Sequence, residues 1–438
     1  MKIALLSEHA SPLATLGGVD ADGPSTYVGC VASYLVEAGH QVDVLTRRDS
    51  PRLPSVVNLR PGLRVIHVPA GPPKPLRCEA LLPYMRDFVG ATERLIQQGH
   101  HYDVIHANRF MSGLVAMQLK ERFGIPFVMT FHTLARVQDE HEPESGQFRS
   151  VRRTLEHRIV AHADRIIAEC PQDEQDLLRL YHADPQRIAV VPCGVDHYQF
   201  HPLDKQQARA RLGQAPEEFI ALQLGRIAPH KGIDTVIQAL SYLDDRIPAR
   251  LLVVGGNPSA TDDTEGPELN RLQELAQRCG VGHRVEFTGH QDRGDLRSYY
   301  AAADVFVTTP WYEPFGITPL EAMACGTPVI GSAVGGIQYS VLDGVTGYLV
   351  PPKNPQSLAR YLAMLHDNPS MAQALGRAGI RRVRSKFTWD RVTSELLGIY
   401  QNVSAQTAPP RMPMTDLLHA SAWPATIRLN AERAATRA

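Results

Sequence analysis

Short β-branched runs alternate with amphipathic segments through the first half of this chain, and this alternation constrains its fold most strongly. Amphipathic segments such as Tyr27–Glu37 and Ser112–Arg122 lie between several of the runs. Strands that alternate with helices predict a doubly wound, mostly parallel sheet with helices on both faces. The runs predicted to be strands are Ile3–Leu6, Gln41–Thr46, Arg64–Val68, Val104–Ala107, Phe127–Phe131 and Arg165–Ala168.

The alternation stops at residues 190–202, where proline and glycine indicate a hinge, and then begins again. The second set of predicted strands is Phe219–Leu224, Arg250–Val254, Val285–Thr288, Val305–Thr308 and Pro328–Gly331. The helices between them are predicted around Ile233–Leu243, Pro267–Arg278 and Asp295–Ala301. The chain is therefore predicted to be α/β, with two Rossmann-like halves. Ligands of open α/β sheets bind outside the carboxyl ends of the strands, so we expect a site in a cleft between the halves.

Length supports two domains, because 438 residues exceed one ordinary core. We expect an N-terminal domain over residues 1–198 and a C-terminal domain over 199–386. A helix over 387–403 is expected to cross back to the first domain, and the proline-containing tail 404–438 to be loosely ordered.

Composition excludes several classes of protein. A net charge of −1 gives no reason to expect nucleic-acid binding or strong attraction to acidic membranes. The six cysteines form no CxxC pair, which argues against a zinc site or a disulfide framework. The N-terminal apolar run is too short for a signal peptide, and no stretch approaches the apolar length of a membrane span. We therefore expect a cytoplasmic protein.

The segment Glu313-Pro-Phe-Gly-Ile-Thr-Pro-Leu-Glu321 places two carboxylates eight residues apart around a Phe-Gly turn. Glu313 is predicted to follow a buried strand, and Glu321 to lie about one turn into a helix with free N-terminal amides. Amides bind phosphate oxygens and carboxylates accept hydrogen bonds from hydroxyls, so the segment suits a sugar diphosphate. Glu321 taken alone could simply offset the helix dipole.

A basic loop, Leu224-Gly-Arg-Ile-Ala-Pro-His-Lys-Gly232, follows a predicted strand and precedes a predicted helix. Arg226 and Lys231 are five residues apart, so both can reach one polyanion. Either residue alone would more often pair with a surface acid, but the pair between glycines favours phosphate. The loop is not a Walker A motif.

These two motifs, with the later run Gly335-Gly, Asp343-Gly and Gly347-Tyr-Leu-Val-Pro, resemble the retaining glycosyltransferases of family 4 over roughly residues 1–403. Within that family the chain is similar to the sucrose-phosphate-synthase-like and mycothiol glycosyltransferase-like branches. The resemblance implies the GT-B fold, in which two Rossmann-like domains face each other across a cleft.

The resemblance also implies roles for individual residues. Arg226 and Lys231 would hold the donor diphosphate, Glu313 would bind hydroxyls of the donor sugar, and Glu321 would bind the nucleotide ribose. The residues expected to contact the donor are Gly23, Arg226, Lys231, His290, Glu313, Phe315, Gly316, Ile317, Thr318, Leu320 and Glu321. An ordinary surface turn explains the loop around His290 almost as well. The expected catalytic residues are His132, Arg226, Lys231 and Glu313.

In the N-terminal half, a lone histidine such as His132 at a strand end is more often structural, but the resemblance implies that it faces the donor sugar. Asn108 and Arg109 end another strand and are expected on the acceptor side. Arg136 and Arg153 are expected there too, in a basic group that also contains Arg149 and Arg152. This group indicates either a pocket for a phosphorylated acceptor or a solvated helix face. Glu156 favours the helix face, because it is in pairing range of Arg152 and Arg153.

One position departs from the family pattern. Asp22 stands where the family has a glycine, and Pro24 follows Gly23. An anionic Asp22 near a diphosphate would be repulsive unless it turns away, which leaves the role of this loop open.

The resemblance implies a reaction that moves a sugar, with retention, from a UDP- or other NDP-hexose to a hydroxyl of a small-molecule, sugar-phosphate or glycan acceptor. No Asp-x-Asp motif stands at a strand end in the donor half, and the two cations could replace a divalent ion, so we expect neither metal nor cofactor. Two alternatives remain: a sugar phosphorylase or nucleotide-sugar epimerase on the same fold, and a non-catalytic binding protein.

Overall fold

The computed structural model describes residues 1–9, 11, 13, 23–141, 147–256 and 265–406. They divide into two compact units. The N-terminal unit comprises the described residues of 1–169, 173–191 and 392–438, and the C-terminal unit comprises those of 170–172 and 192–391.

The N-terminal unit is built on an eight-stranded sheet in the order β3-β4-β2-β1-β5-β6-β7-β8. All neighbouring pairs are parallel except β3 and β4. The strands are β1 Lys2–Leu6, β2 Gln41–Arg47, β3 Val56–Arg60, β4 Leu63–Val68, β5 Val104–Asn108, β6 Phe127–Thr130, β7 Arg165–Ala168 and β8 Ile188–Val190. The six predicted strands are present, each within one residue at either end. β3 and β8 were not predicted, because an exposed edge strand lacks an apolar run and β8 has three residues.

Helices connect these strands, as the alternation predicted. The α-helices of this unit are Gly23–Glu37, Cys78–Leu81, Met85–Gln97, Arg109–Phe123, Ala135–His141, Gln147–His162 and Pro171–Tyr181, with short 3-10 turns at Leu82–Tyr84 and Pro185–Arg187. Strands β1 and β5 have almost no exposed residue, as expected for parallel strands covered on both faces.

The C-terminal unit contains a six-stranded, fully parallel sheet in the order β11-β10-β9-β12-β13-β14. Its strands are β9 Phe219–Leu224, β10 Ala249–Val254, β11 Val285–Gly289, β12 Val305–Thr308, β13 Val329–Ser332 and β14 Gly347–Val350. The α-helices are Lys205–Leu212, Ile233–Leu240, Glu265–Arg278, Arg293–Ala302, Ile317–Ala324, Gly335–Ser340, Pro355–Asp367 and Pro369–Lys386, with 3-10 turns at Pro229–Lys231 and Gly282–Arg284. All five strands predicted here are present, and β14 is an addition at the sheet edge.

The helix expected over 387–403 is present as Trp389–Ala405. Trp389 is buried beside Gly194 of the C-terminal unit, where a Cβ atom would come within 2.6 Å of the indole ring. Tyr400, further along the helix, is buried in the N-terminal unit and its hydroxyl lies 2.6 Å from Nδ1 of His106. The first residues of this helix, up to Arg391, thus belong to the C-terminal unit, and those from Val392 onward belong to the N-terminal unit. Residues 407–438, which include most of the tail expected to be loosely ordered, lie outside the described residues.

In the part of the chain that the structure describes, no helix is both long enough and apolar enough to cross a membrane.

Candidate functional site

In the C-terminal unit the basic loop leaves the carboxyl end of β9 and closes in the 3-10 turn Pro229–Lys231. Gly232, with φ of 66°, ends this turn and begins the helix Ile233–Leu240. A Cβ atom at position 232 would lie 1.9 Å from the Thr309 carbonyl oxygen. Only glycine therefore allows the basic loop to pack against the segment that follows β12.

This packing brings together two residues that are 82 positions apart. Nζ of Lys231 donates a hydrogen bond to Oε2 of Glu313 over 2.6 Å, and the two side chains are 25% and 18% exposed. Arg226 lies in the same loop with an exposed side chain. Burial, followed by the charges of Lys231 and Arg226, lowers the pKa of His230 to about 4, against an opposing effect of Glu313. His230 is therefore neutral near pH 7, and the loop carries two cations.

Two glycines position the Glu313 segment. Gly335 has φ of 44°, and a Cβ atom there would come within 1.9 Å of the Glu313 carbonyl oxygen. The Gly336 amide donates to that oxygen over 3.1 Å. Gly316, with φ of 87°, then begins the helix Ile317–Ala324. The helix N-terminus thus follows Glu313 closely, as the sequence predicted.

Glu321 is 2% exposed and has two partners. Nη2 of Arg293 donates to Oε1 over 3.0 Å, and the Tyr300 hydroxyl donates to Oε2 over 2.8 Å. The carboxylate joins the helix Arg293–Ala302 to the helix Ile317–Ala324. Its contact with a ribose stays a prediction, and a ribose would have to share it with these two donors. Arg293 and Tyr300 were not predicted, because both lie on a different helix and no local pattern links them to Glu321.

The other residues expected to contact the nucleotide-sugar donor differ in how exposed they are. Phe315 and Leu320 are buried at 3% and 0%, so only their backbone groups could contact a ligand. His290 is exposed after β11, and Ile317 and Thr318 are partly buried. Gly23 is the first residue of the helix Gly23–Glu37 in the N-terminal unit. Asp22, whose effect was left open, lies outside the described residues.

In the N-terminal unit, polar side chains collect at the carboxyl ends of β5, β6 and β7. Nε2 of His132 lies 3.0 Å from Oδ1 of Asn108, and Nδ1 lies 3.1 Å from Oε1 of Glu169. All three residues are buried. His132 has φ of 58°, a left-handed conformation that is uncommon outside glycine and clusters at functional sites. The sequence indicated His132 and Asn108 but not Glu169.

Arg109 also has a left-handed backbone, with φ of 69°, at the start of the helix Arg109–Phe123. Its guanidinium contacts Nε2 of His9, whose Nδ1 lies 2.9 Å from Oε1 of Glu8. The Nε of Arg109 is buried and has no hydrogen-bond partner among the described residues. Glu8 also accepts from the Ser112 hydroxyl. The sequence had suggested only Arg109 of this cluster.

The basic group is mostly occupied by ion pairs. Arg149 and Arg153 donate to the two oxygens of Asp139 over 3.1 and 2.6 Å. Arg152 donates to Glu156 over 2.6 Å. Arg136 is exposed, and its guanidinium lies 5.5 Å from the centre of the Tyr181 ring. These contacts are those of an ion-paired helix face, and an acceptor role for Arg136 and Arg153 stays a prediction.

Comparison with known proteins identifies the family. The family model described as glycosyl transferases group 1 matches residues 204–382, and a glycosyl transferase 4-like domain matches residues 22–194. The chain is 38% identical over 406 residues to a D-inositol 3-phosphate glycosyltransferase of Actinosynnema mirum, covering 91% of this chain and 96% of the relative. The corresponding protein of Geodermatophilus obscurus is 38% identical over 420 residues, covering 93% and 90%.

Solved structures show the same fold. A sucrose-phosphate synthase of Thermosynechococcus elongatus superposes with a TM-score of 0.84 at 35% identity, covering 92% of this chain and 99% of that protein. The Anabaena protein HepE, solved in complex with UDP, gives a TM-score of 0.72 at 20% identity, covering 92% and 100%. Two parallel-sheet α/β units and these neighbours establish the GT-B fold. The chain therefore belongs to the group 1 glycosyltransferases.

Proposed function

We propose that this enzyme transfers a hexosyl group from a nucleoside diphosphate sugar to a hydroxyl group of a phosphorylated acceptor. One observation carries the proposal: Lys231 and Glu313 meet at 2.6 Å where the basic loop packs against the segment after β12. A cation for phosphate and a carboxylate for sugar hydroxyls are thereby side by side, which is what a sugar diphosphate needs.

Negative charge develops on the diphosphate as the bond to the sugar breaks. Arg226 and Lys231 would stabilise this charge, together with the amides at the start of the helix Ile317–Ala324. An ammonium group has three N–H donors, so Lys231 can keep its bond to Glu313 while it donates to a phosphate oxygen. Glu313 would then orient the sugar through its hydroxyls.

We further propose that transfer retains the configuration at the anomeric carbon. The acceptor oxygen would bond to that carbon on the face that the diphosphate leaves, and a diphosphate oxygen would take the acceptor proton. Proton NMR of the product at early reaction times tests this step. The expected anomeric coupling is that of the donor, and an inverted product would contradict it.

We also propose that transfer needs no metal ion, because Arg226 and Lys231 supply the positive charge that a divalent cation would otherwise provide. Turnover should therefore persist after dialysis against EDTA. Loss of turnover on chelation and its return with Mg²⁺ would overturn this part of the proposal.

The relatives support a phosphorylated acceptor. Those at 37–38% identity are named for D-inositol 3-phosphate, and the solved relative at 35% identity is a sucrose-phosphate synthase. In this chain the cluster around Arg109 offers a guanidinium whose buried Nε has no partner among the described residues. A phosphate ester would supply the missing acceptor.

Mass spectrometry of reaction mixtures tests the proposed function. The enzyme would be incubated with UDP-, ADP- and GDP-hexoses, each paired with D-inositol 3-phosphate, hexose phosphates and their unphosphorylated counterparts. We expect a glycosylated product with a phosphorylated acceptor only. A sugar phosphorylase would instead form sugar 1-phosphate from a glycoside and added inorganic phosphate, and an epimerase would epimerise the donor sugar without an acceptor.

A further inference from the structure

A chain of hydrogen bonds joins Asn108, His132 and Glu169. The partners of each atom determine which nitrogens of the His132 ring carry a proton. Nδ2 of Asn108 lies 3.4 Å from the Leu6 carbonyl oxygen and 3.5 Å from that of His106. The amide nitrogen must face these two acceptors, because the opposite orientation would place oxygen against oxygen. The Asn108 oxygen therefore faces Nε2 of His132, and that nitrogen must carry a proton.

The other nitrogen of the ring faces a carboxylate. Nδ1 of His132 lies 3.1 Å from Oε1 of Glu169, in a pair whose side chains are 7% and 4% exposed. A neutral imidazole has one N–H donor, but this arrangement offers an acceptor to each ring nitrogen. The pair thus holds one proton more than a neutral histidine beside an ionised glutamate.

We infer that Glu169 is a positioning residue that holds His132 as a doubly protonated imidazolium, locked in its strained backbone conformation, for the glycosyl transfer proposed above. An ionised carboxylate within hydrogen-bond distance favours the charged imidazole. Both ring nitrogens are bound within the N-terminal unit, so the ring acts as a fixed cation and not as a proton shuttle.

Neighbouring ionisable groups among the described residues bear on the charge of His132. His106 approaches from β5, where burial and then the charge of His132 lower its pKa to about 3, so it is neutral. From the helix Pro171–Tyr181, Asp173 accepts from the Glu169 amide over 3.0 Å. Burial, followed by the charge of Glu169, raises the pKa of Asp173 to about 8, a smaller contribution coming from Asp176 of the same helix.

Tyr27, from the helix Gly23–Glu37, also contacts His132. Its ring meets that of His132 edge to face, with centroids 4.9 Å apart and planes at 74°. An aromatic ring in contact with an imidazolium adds a favourable electrostatic term. Among the described residues, the groups that face His132 thus include the Glu169 carboxylate and the Tyr27 ring, both of which favour a protonated imidazole.

Nitrogen-15 NMR of histidine-labelled enzyme tests the inference independently of activity. His132 is assigned among the 18 histidines by comparison with His132→Gln. At pH 7 we expect both ring nitrogens of His132 to be protonated in the wild type. In Glu169→Gln the ring should become neutral, because an amide stabilises the cation far less. A neutral ring in the wild type, or an unchanged ring in Glu169→Gln, would overturn the inference.

Kinetics show whether the charge matters to turnover. Glu169→Gln should lower kcat about tenfold or more with little change in KM, and move the alkaline limb of the kcat profile to lower pH. Glu169→Asp should recover part of kcat. A Glu169→Gln profile identical to the wild type would contradict the positioning role.

Asp43→Asn is the matched control, since Asp43 is also a buried carboxylate of this sheet, paired with Arg64 at 2.6 Å. This variant should be less stable but keep the NMR signals of His132 and the pH profile. If no donor and acceptor pair gave a product while His132 remained an imidazolium, the proposed function would fail and the protonation state would stand.

Discussion

Gly335 lies against the backbone of Glu313, so close that a Cβ atom at position 335 would come within 1.9 Å of the Glu313 carbonyl oxygen. The contact places the start of the helix Gly335–Ser340 beside the loop that carries Glu313. The position of this carboxylate therefore depends on a glycine 22 residues further along the chain.

Gly335→Ala is expected to reduce kcat by about a hundredfold, because the clash must displace the Glu313 backbone and a shift of about 1 Å has an effect of this size. Gly344→Ala is the matched control. Gly344 also has positive φ, 69°, but nothing lies within 4 Å of its Cβ position. That variant should lose roughly 1 kcal/mol of stability and keep its kcat. Equal kcat values for the two variants would contradict the positioning of Glu313 by Gly335.

Lys231→Ala should lower kcat by on the order of a hundredfold or more, because one preorganised charge on the leaving group is lost. Lys205→Ala provides the comparison, since Lys205 is also paired with a carboxylate, Asp304, at 2.9 Å, but on the exterior of the unit. Its turnover should match the wild type. Steady-state kinetics with saturating donor measure both, and a wild-type rate for Lys231→Ala would remove its role in the reaction.

Glu321→Ala should affect folding and ligand binding together. It removes the buried carboxylate that accepts hydrogen bonds from Arg293 and the Tyr300 hydroxyl, at a cost of roughly 3–5 kcal/mol. Tyr300→Phe removes one hydrogen bond only and should cost about 1 kcal/mol. If Glu321 binds the ribose, calorimetry should show weaker nucleoside diphosphate binding for Glu321→Ala than for Tyr300→Phe. Equal affinities would mean that the carboxylate serves the fold alone.

His106 makes the stability of the enzyme depend on pH. Its pKa is about 3 in the folded state, below the ordinary value of 6.5, because burial disfavours the charged ring. Above pH 6.5 the residue is neutral in both states. Between 6.5 and 3 only the unfolded chain binds the proton, so stability falls as pH is lowered through this window. From pH 7 to pH 5 the loss from this residue should be about 2 kcal/mol.

Urea unfolding of the wild type and of His106→Gln at these two pH values measures this contribution. The variant should be less stable at pH 7 but lose less stability on acidification. His101→Gln removes a histidine whose side chain is 85% exposed, and it should show the wild-type pH dependence. A wild-type pH dependence in His106→Gln would exclude His106 as the source.

Much of the fold was predictable because buried parallel strands are apolar along their whole length. β9, for instance, was predicted with the observed limits. The strands that were missed lie at sheet edges: β3 is partly exposed and antiparallel, and β8 and β14 have three and four residues. Edge strands receive hydrogen bonds from one side only, so their sequences need not be apolar.

The site was predictable only where its residues are close in sequence. Arg226 and Lys231 lie in one loop, so the sequence could join them, but the pairing of Lys231 with Glu313 depends on how two loops pack. Glu169 reaches His132 from a different strand. No local sequence pattern identifies Glu169 as a partner of His132, or Glu313 as a partner of Lys231, because only the tertiary structure brings each pair together.

A crystal structure with a non-transferable nucleoside diphosphate sugar tests the central claim most directly. We expect phosphate oxygens within about 3.2 Å of the Arg226 guanidinium and of Nζ of Lys231, with Glu313 accepting from sugar hydroxyls. A diphosphate bound elsewhere, with Arg226 and Lys231 free of phosphate contacts, would contradict the account.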